Sequence, residues 1–269
     1  MAQDETGSVE RSQRREDITV CYSGGLDSTY VARMMGKEYG GAVHLFTMVP
    51  YGQLFPRWAD HHARDLRTML APQPVYHHYE DTRELFREFA VRTFVSDWVK
   101  YKSHFTWCLG CHCAMIARVV VYNLERQIPH VMFSSSVGGQ YAVMSMPVTH
   151  ANWHRFYGEY GIEFHAPLLE RNIEKHQERR ELLEAGMWIG YRFNRAVLGV
   201  QPLCIFGLQH IMDILFHMHT TYDPYQVNRF FRDREEKMHA HIREHFRARG
   251  VNVETLVQSL KDRSRGVQG

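Results

Sequence analysis

The run Ile18-Thr19-Val20-Cys21-Tyr22 stops abruptly at Ser23-Gly24-Gly25-Leu26-Asp27-Ser28, and helical composition follows to Lys37. A run of that kind reads as a buried strand, and paired glycines let the chain turn tightly into the helix behind it. Such a turn presents backbone N–H groups and the positive end of a helix, which together make a cradle for phosphate anions. Ser23 and Ser28 add hydroxyl donors. Asp27 is anionic and repels phosphate unless it caps backbone N–H groups or bridges through Mg²⁺, so a divalent ion is implied. A turn in which the glycines serve only geometry, with Asp27 and Ser28 as caps, is the plainer alternative. The GxxxxGK[ST] phosphate loop is absent.

Further strands are expected at 42–48, 74–79, 130–134 and 162–165, and helices at 57–70, 82–100, 112–126, 172–185 and 224–248. Strands alternating with helical crossovers predict an α/β fold, a mostly parallel sheet covered on both faces, with ligands outside the carboxyl ends of its strands. The division expected is a polar tail over 1–16, a phosphate-binding domain over 17–170, a helical C-terminal extension over 171–260 and a second polar tail over 261–269. With 269 residues, 44% of them hydrophobic, the chain can bury a core without staples.

A formal charge of +2 creates no whole-molecule field for nucleic acid, so any RNA contact has to be local. Residues 226–269, basic and interleaved with Phe230, Phe231 and Phe246, offer either such a contact or a solvated helix with a packed stripe. The cysteines fall at 21, 108, 111, 113 and 204. That clustering argues against a secreted disulfide framework. The first 17 residues lack an apolar export segment and no run of eighteen apolar residues occurs, so a cytoplasmic protein without membrane association is expected.

Trp107-Cys108-Leu109-Gly110-Cys111-His112-Cys113 sets two thiols at C-x-x-C spacing, converging on one soft metal in a tight turn before the helix at 112. With the helix begun at Cys111, Cys113 points roughly 200° away from it, so Cys113 is ranked below the other two. Cys204 is the remaining candidate, in a region expected to fold back toward the carboxyl end of the sheet. Three thiolates, Cys108, Cys111 and Cys204, can hold a [4Fe–4S] cluster with one iron open to carry a hydrosulfide. Structural Zn²⁺ completed by a histidine, or a catalytic persulfide or dithiol, remain as alternatives. Cys21 reads as inert core.

Ser23-Gly24-Gly25-Leu26-Asp27-Ser28 behind a buried strand resembles the PP-loop, SGGxDS, of the ATP pyrophosphatase superfamily. The resemblance implies a five-stranded parallel sheet of the HUP-like, Rossmann-like type and an ATP–Mg²⁺ site. There a substrate oxygen attacks the α-phosphorus, and the adenylate formed is displaced by sulfur or nitrogen, leaving AMP and pyrophosphate. It also implies adenine contacts from Phe46, Thr47 and Met48, and further contacts from Ser134, Ser135 and Ser136; plain core packing is the alternative for Phe46 and Met48. With the C-x-x-C pair and the distant Cys204, residues 17–205 are similar to cluster-containing tRNA thiolation and sulfur-insertion enzymes. On that likeness Asp27, Cys108, Cys111 and Cys204 are the catalytic candidates of a sulfur transferase.

The tRNA-thiolating relatives carry Gly-His with acidic residues after the fourth strand and an Arg before the later Pro-Leu. This chain has Ser135-Ser136-Val137-Gly138-Gly139 and Ala166-Pro167-Leu168. The acceptor is therefore left open between a tRNA base and a small molecule, and the sulfur donor between a protein and sulfide. A homodimer is compatible with the sequence. Two other classes compete: an ATP-dependent ammonia ligase with a Zn²⁺ site, and a nucleotide-binding module without turnover. His165 and Lys175 are placed near the active edge without an assigned role.

Overall fold

Ile18 and Val20 project to one face of the first strand and Cys21 to the other, and both faces are covered, so the near-continuous apolar run is explained by burial on two sides. The computed structural model describes residues 15–101, 103, 105–135, 143–187, 189, 203–205 and 222–266. Expectations for residues 1–14, for Ser136 to Gly139 and for 267–269 lie outside the described residues.

In chain order the elements are β1 (Glu16–Cys21), α1 (Leu26–Tyr39), β2 (Gly40–Val49), β3 (Gln53–Leu54), α2 (Ala59–Met69), β4 (Val75–Asp81), α3 (Arg83–Phe86), α4 (Phe94–Tyr101) and α5 (Phe105–Arg126). Then come β5 (His130–Met132), α6 (Pro147–Glu159), β6 (Glu163–His165), α7 (Pro167–Glu170), α8 (Lys175–Glu184), β7 (Leu203–Cys204), α9 (Pro224–Arg247) and α10 (Val253–Gly266). Five strands form a parallel sheet in the order β4-β2-β1-β5-β6. From β1 the chain winds first toward β4 and later toward β6, so the order reverses between β1 and β5, and the crevice above their carboxyl ends is where such sheets bind ligands. Helices α1, α2 and α8 pack against one face, and α5, α6, α9 and α10 contribute to the apolar cluster on the other.

Several boundaries differ from the sequence reading. β1 begins at Glu16 because its ladder with Gly40 extends the strand into the expected tail. The helix expected over 82–100 is divided by a π-helical turn at Arg87–Val91. α6 was not foreseen, and α10 runs on to Gly266 where a tail was expected from 261. α5 starts at Phe105 rather than 112, so the C-x-x-C pair lies inside a helix and not in a turn before it. Gly110 serves packing there instead of turning the chain, since a Cβ would stand 2.8 Å from Ala90 Cβ. α5 is long and apolar enough to cross a membrane by composition, but most of it is buried as the central helix of a core.

In α9, Phe230, Phe231 and Phe246 are buried, and Arg234 is paired with the buried Asp97 while donating to the Phe89 carbonyl at 3.1 Å. The three rings and Arg234 thus form a packed stripe and are withdrawn from any RNA surface, while Arg232, Arg243, Arg247 and Arg249 stay exposed.

Candidate active site

The turn from β1 into α1 is held by its own serines. Ser23 Oγ and Ser28 Oγ lie 3.1 Å apart, the Ser23 N–H donates to Ser28 Oγ at 3.2 Å, and the Gly25 N–H donates to Ser23 Oγ at 3.2 Å. Gly25 is the N-cap and offers no side-chain acceptor, so the N–H groups of the first turn of α1 stay directed into the space above β1. Gly24 has φ +75°, and a Cβ there would sit 2.6 Å from Ala59 Cα, so α2 closes directly on the loop. This is a preformed anion cradle built from residues adjacent in sequence.

Asp27 forms an ion pair with Lys175, the first residue of α8. Beside them Glu178 is fully buried, and neither carboxylate oxygen has a hydrogen-bond partner. Burial first, and the charge of Asp27 second, push Glu178 up to about 8, against the pull of Lys175. Two carboxylates and a lysine therefore meet at the mouth of the phosphate cradle. An orphaned buried carboxylate next to Asp27 fits a divalent cation, which accepts hard oxygen ligands. Glu178 was missed in the sequence because it is one acid among several in Lys175–Glu184, and only packing singles it out.

At the end of β2 the side chains take unequal roles. Phe46 is buried in the core, its ring 5.2 Å from His78 and 5.0 Å from Tyr122, so of the two readings packing is the one its position satisfies. Thr47 is buried, donating to the Tyr22 carbonyl at 2.8 Å, with His77 Nε2 also 2.8 Å away. Burial lowers His77 to about 4 although Asp60 stands 3.0 Å from its Nδ1. Met48 is half-buried against the core. Across the crevice, Ser134 is half-buried and Ser135 is buried with its Oγ 3.0 Å from His150 Nε2. Ser136 lies outside the described residues.

Cys108 and Cys111 are one helical turn apart on α5, on the same face. The short antiparallel ladder Gln53↔Cys204 and Leu54↔Leu203 returns Cys204 to the loop after β2, at the carboxyl end of the sheet. Cys204 is close enough for its charge to oppose ionisation of both others. Burial first, then Cys204, holds Cys108 up at about 12, and burial followed by Cys204 and Cys108 raises Cys111 as well. Thiols so raised are poor nucleophiles, whereas a bound cation displaces their protons. Cys113 is buried in the core, and Cys21 likewise.

The fold is α/β, with a five-stranded parallel sheet and a glycine loop between β1 and α1. No protein-family model and no curated protein matches the sequence. Among solved structures the chain is similar to the U34-tRNA thiolase NcsA from Methanococcus maripaludis with its [4Fe-4S] cluster, at 14% identity over 83% of this chain and 73% of that one, TM-score 0.44. It is similar to NMN synthetase from Francisella tularensis at 14% identity over 85% and 87% of the two chains, TM-score 0.41. A predicted subunit of tRNA methyltransferase from Methanocaldococcus jannaschii shares 14% identity over 78% and 91%, TM-score 0.40. At those values the likeness is distant.

Proposed function

We propose that this protein is an ATP-dependent sulfur transferase that forms AMP and pyrophosphate. What supports the nucleotide half is the cradle of Ser23, Gly24, Gly25 and Ser28, with Asp27 and Glu178 as the carboxylates suited to hold Mg²⁺ beside it. An acceptor oxygen attacks the α-phosphorus, and the bond to the bridging oxygen breaks with loss of pyrophosphate. Hydrosulfide then attacks the activated carbon, and AMP leaves with the bonding electron pair.

What supports the sulfur half is that the ladder carrying Cys204 and the turn of α5 carrying Cys108 and Cys111 both lie at the end of the sheet that bears the glycine loop. Three thiolates, two on one turn of α5 and one on the β3–β7 ladder, suit a [4Fe–4S] cluster with one iron left open. When bound, such a cluster supplies an open iron on which hydrosulfide can be presented. The protein's part is to hold the thiols on a rigid helix and a short ladder facing the adenylate. A tRNA base or a small heterocycle or carboxylate fits the acceptor role.

The test is anaerobic purification with iron, acid-labile sulfide and zinc analysis, followed by labelled ATP and Mg²⁺ with candidate acceptors and both sulfide and ammonia as competing nucleophiles. Iron with matching sulfide is expected, and Cys108→Ser should abolish sulfur incorporation while AMP formation persists. Zinc without iron, together with ammonia rather than sulfide appearing in the product, would replace this reading with the ligase.

A further inference from the structure

At the opposite end of α1 from the glycine loop, three metal-ligating side chains meet. His130 begins β5, Glu163 stands opposite it in register, and His165 follows on the same face of β6. Tyr39, the last residue of α1, packs its ring against both imidazoles, with centroids 4.7 and 6.2 Å away. A helix of 14 residues separates this cluster from the phosphate cradle by on the order of 20 Å.

His130 Nδ1 is 3.3 Å from His165 Nε2 and 3.5 Å from Glu163 Oε2, and His165 Nε2 is 3.8 Å from that same oxygen. Nitrogen and oxygen ligands around a tetrahedral zinc ion lie about 3.3 to 3.6 Å apart. On its other side His130 Nε2 lies 3.0 Å from Glu16 Oε2. The His130 Nε2–H donates to that carboxylate, which leaves the Nδ1 lone pair aimed at the cluster, the arrangement that supports a histidine ligand from behind. His130 is buried while Glu163 is 49% exposed, which gives an ion a way in and leaves a coordination position to water. Among the described residues the other convergent group, Glu159, Glu235 and His239, is already neutralised by Arg155, which pairs with both carboxylates.

We propose that His130, Glu163 and His165 bind one divalent transition-metal ion of the zinc class, separate from the nucleotide and cysteine sites. Bound there, the ion ties the three-residue edge strand β6 to β5. The test strips the full-length protein with chelator and titrates it with Co²⁺ alone, then Zn²⁺ alone. A site of nitrogen and oxygen ligands gives a visible band without thiolate charge transfer, so it reads apart from the cysteines. Glu163→Gln and His165→Gln should each weaken this band's titration at least about tenfold and leave any thiolate band unchanged. Both positions are partly exposed, and matching melting curves in chelator would show that the variants fold. The wild type binding no ion with that spectrum, or the two variants titrating like the wild type, would overturn the proposal.

Discussion

The glycine loop and the cysteine site share one end of the sheet but are assembled over different reaches of the chain. Ser23 and Ser28 bond across five residues, and the loop needs little beyond β1, α1 and the close seat of Ala59 on Gly24. Cys108 and Cys111 are also local to each other, yet their third partner arrives on a ladder of two residue pairs from beyond residue 200. The loop is therefore set by local geometry and the cysteine site by tertiary closure. What differs in consequence is independence: the first should survive damage to the second.

Asp27→Asn is the strongest way to separate them. AMP formation from labelled ATP should fall by about 10² to 10³, the scale for removing one electrostatic contact from a reacting centre, here the carboxylate suited to hold Mg²⁺ on the phosphates, while iron content stays at the wild-type value. Loss of iron along with turnover would show that the two regions are one unit. Gly24→Ala is expected to act more mildly. A Cβ meets Ala59 at 2.6 Å and φ is +75°, so on the order of 1–3 kcal/mol of stability should go, with weakened nucleotide affinity. Calorimetry of ATP binding beside a denaturant melt checks both.

Glu178→Gln tests the acid at the mouth of the loop. Its carboxyl is raised from 4.5 to about 8, so the folded protein keeps a proton that the unfolded chain has released. Stability of the metal-free, nucleotide-free protein must then fall as pH rises from about 4.5 to 8, by at most about 1.4 kcal/mol per unit. Glutamine stays neutral, so the variant's melting temperature should be flatter across that window. Parallel slopes for variant and wild type would remove Glu178 from the site.

The strand alternation and the glycine loop were legible because each follows from a local pattern, apolar period and turn chemistry, whereas the return of Cys204 was inferred from ligand type alone and is made by pairing with Gln53, far off in sequence. What the pattern could not supply came from partners distant in sequence. Phe46 reads equally as core or adenine contact until His78 and Tyr122 are seen around it. Glu178 carries no local mark, and its burial beside Asp27 arises only when α8 docks on α1. The start of α5 was misjudged since a cysteine-rich segment with a glycine resembles a turn, and the close approach of Ala90 that makes Gly110 a helix residue is invisible in sequence. His165 was expected at the active edge; its ring faces His130 and Tyr39 instead.

The ladder between Gln53 and Cys204 has a thermodynamic consequence for the whole upper rim. Two residue pairs make a marginal ladder, so any ion that recruits Cys204 also stabilises β3. β3 leads through Pro56–Trp58 to Ala59, which rests on Gly24. That backbone contact is the route through which thiol loading and the cradle could sense each other, and any such effect is reciprocal by linkage. The independence of the two regions is therefore set by how rigidly Ala59 is held by α2.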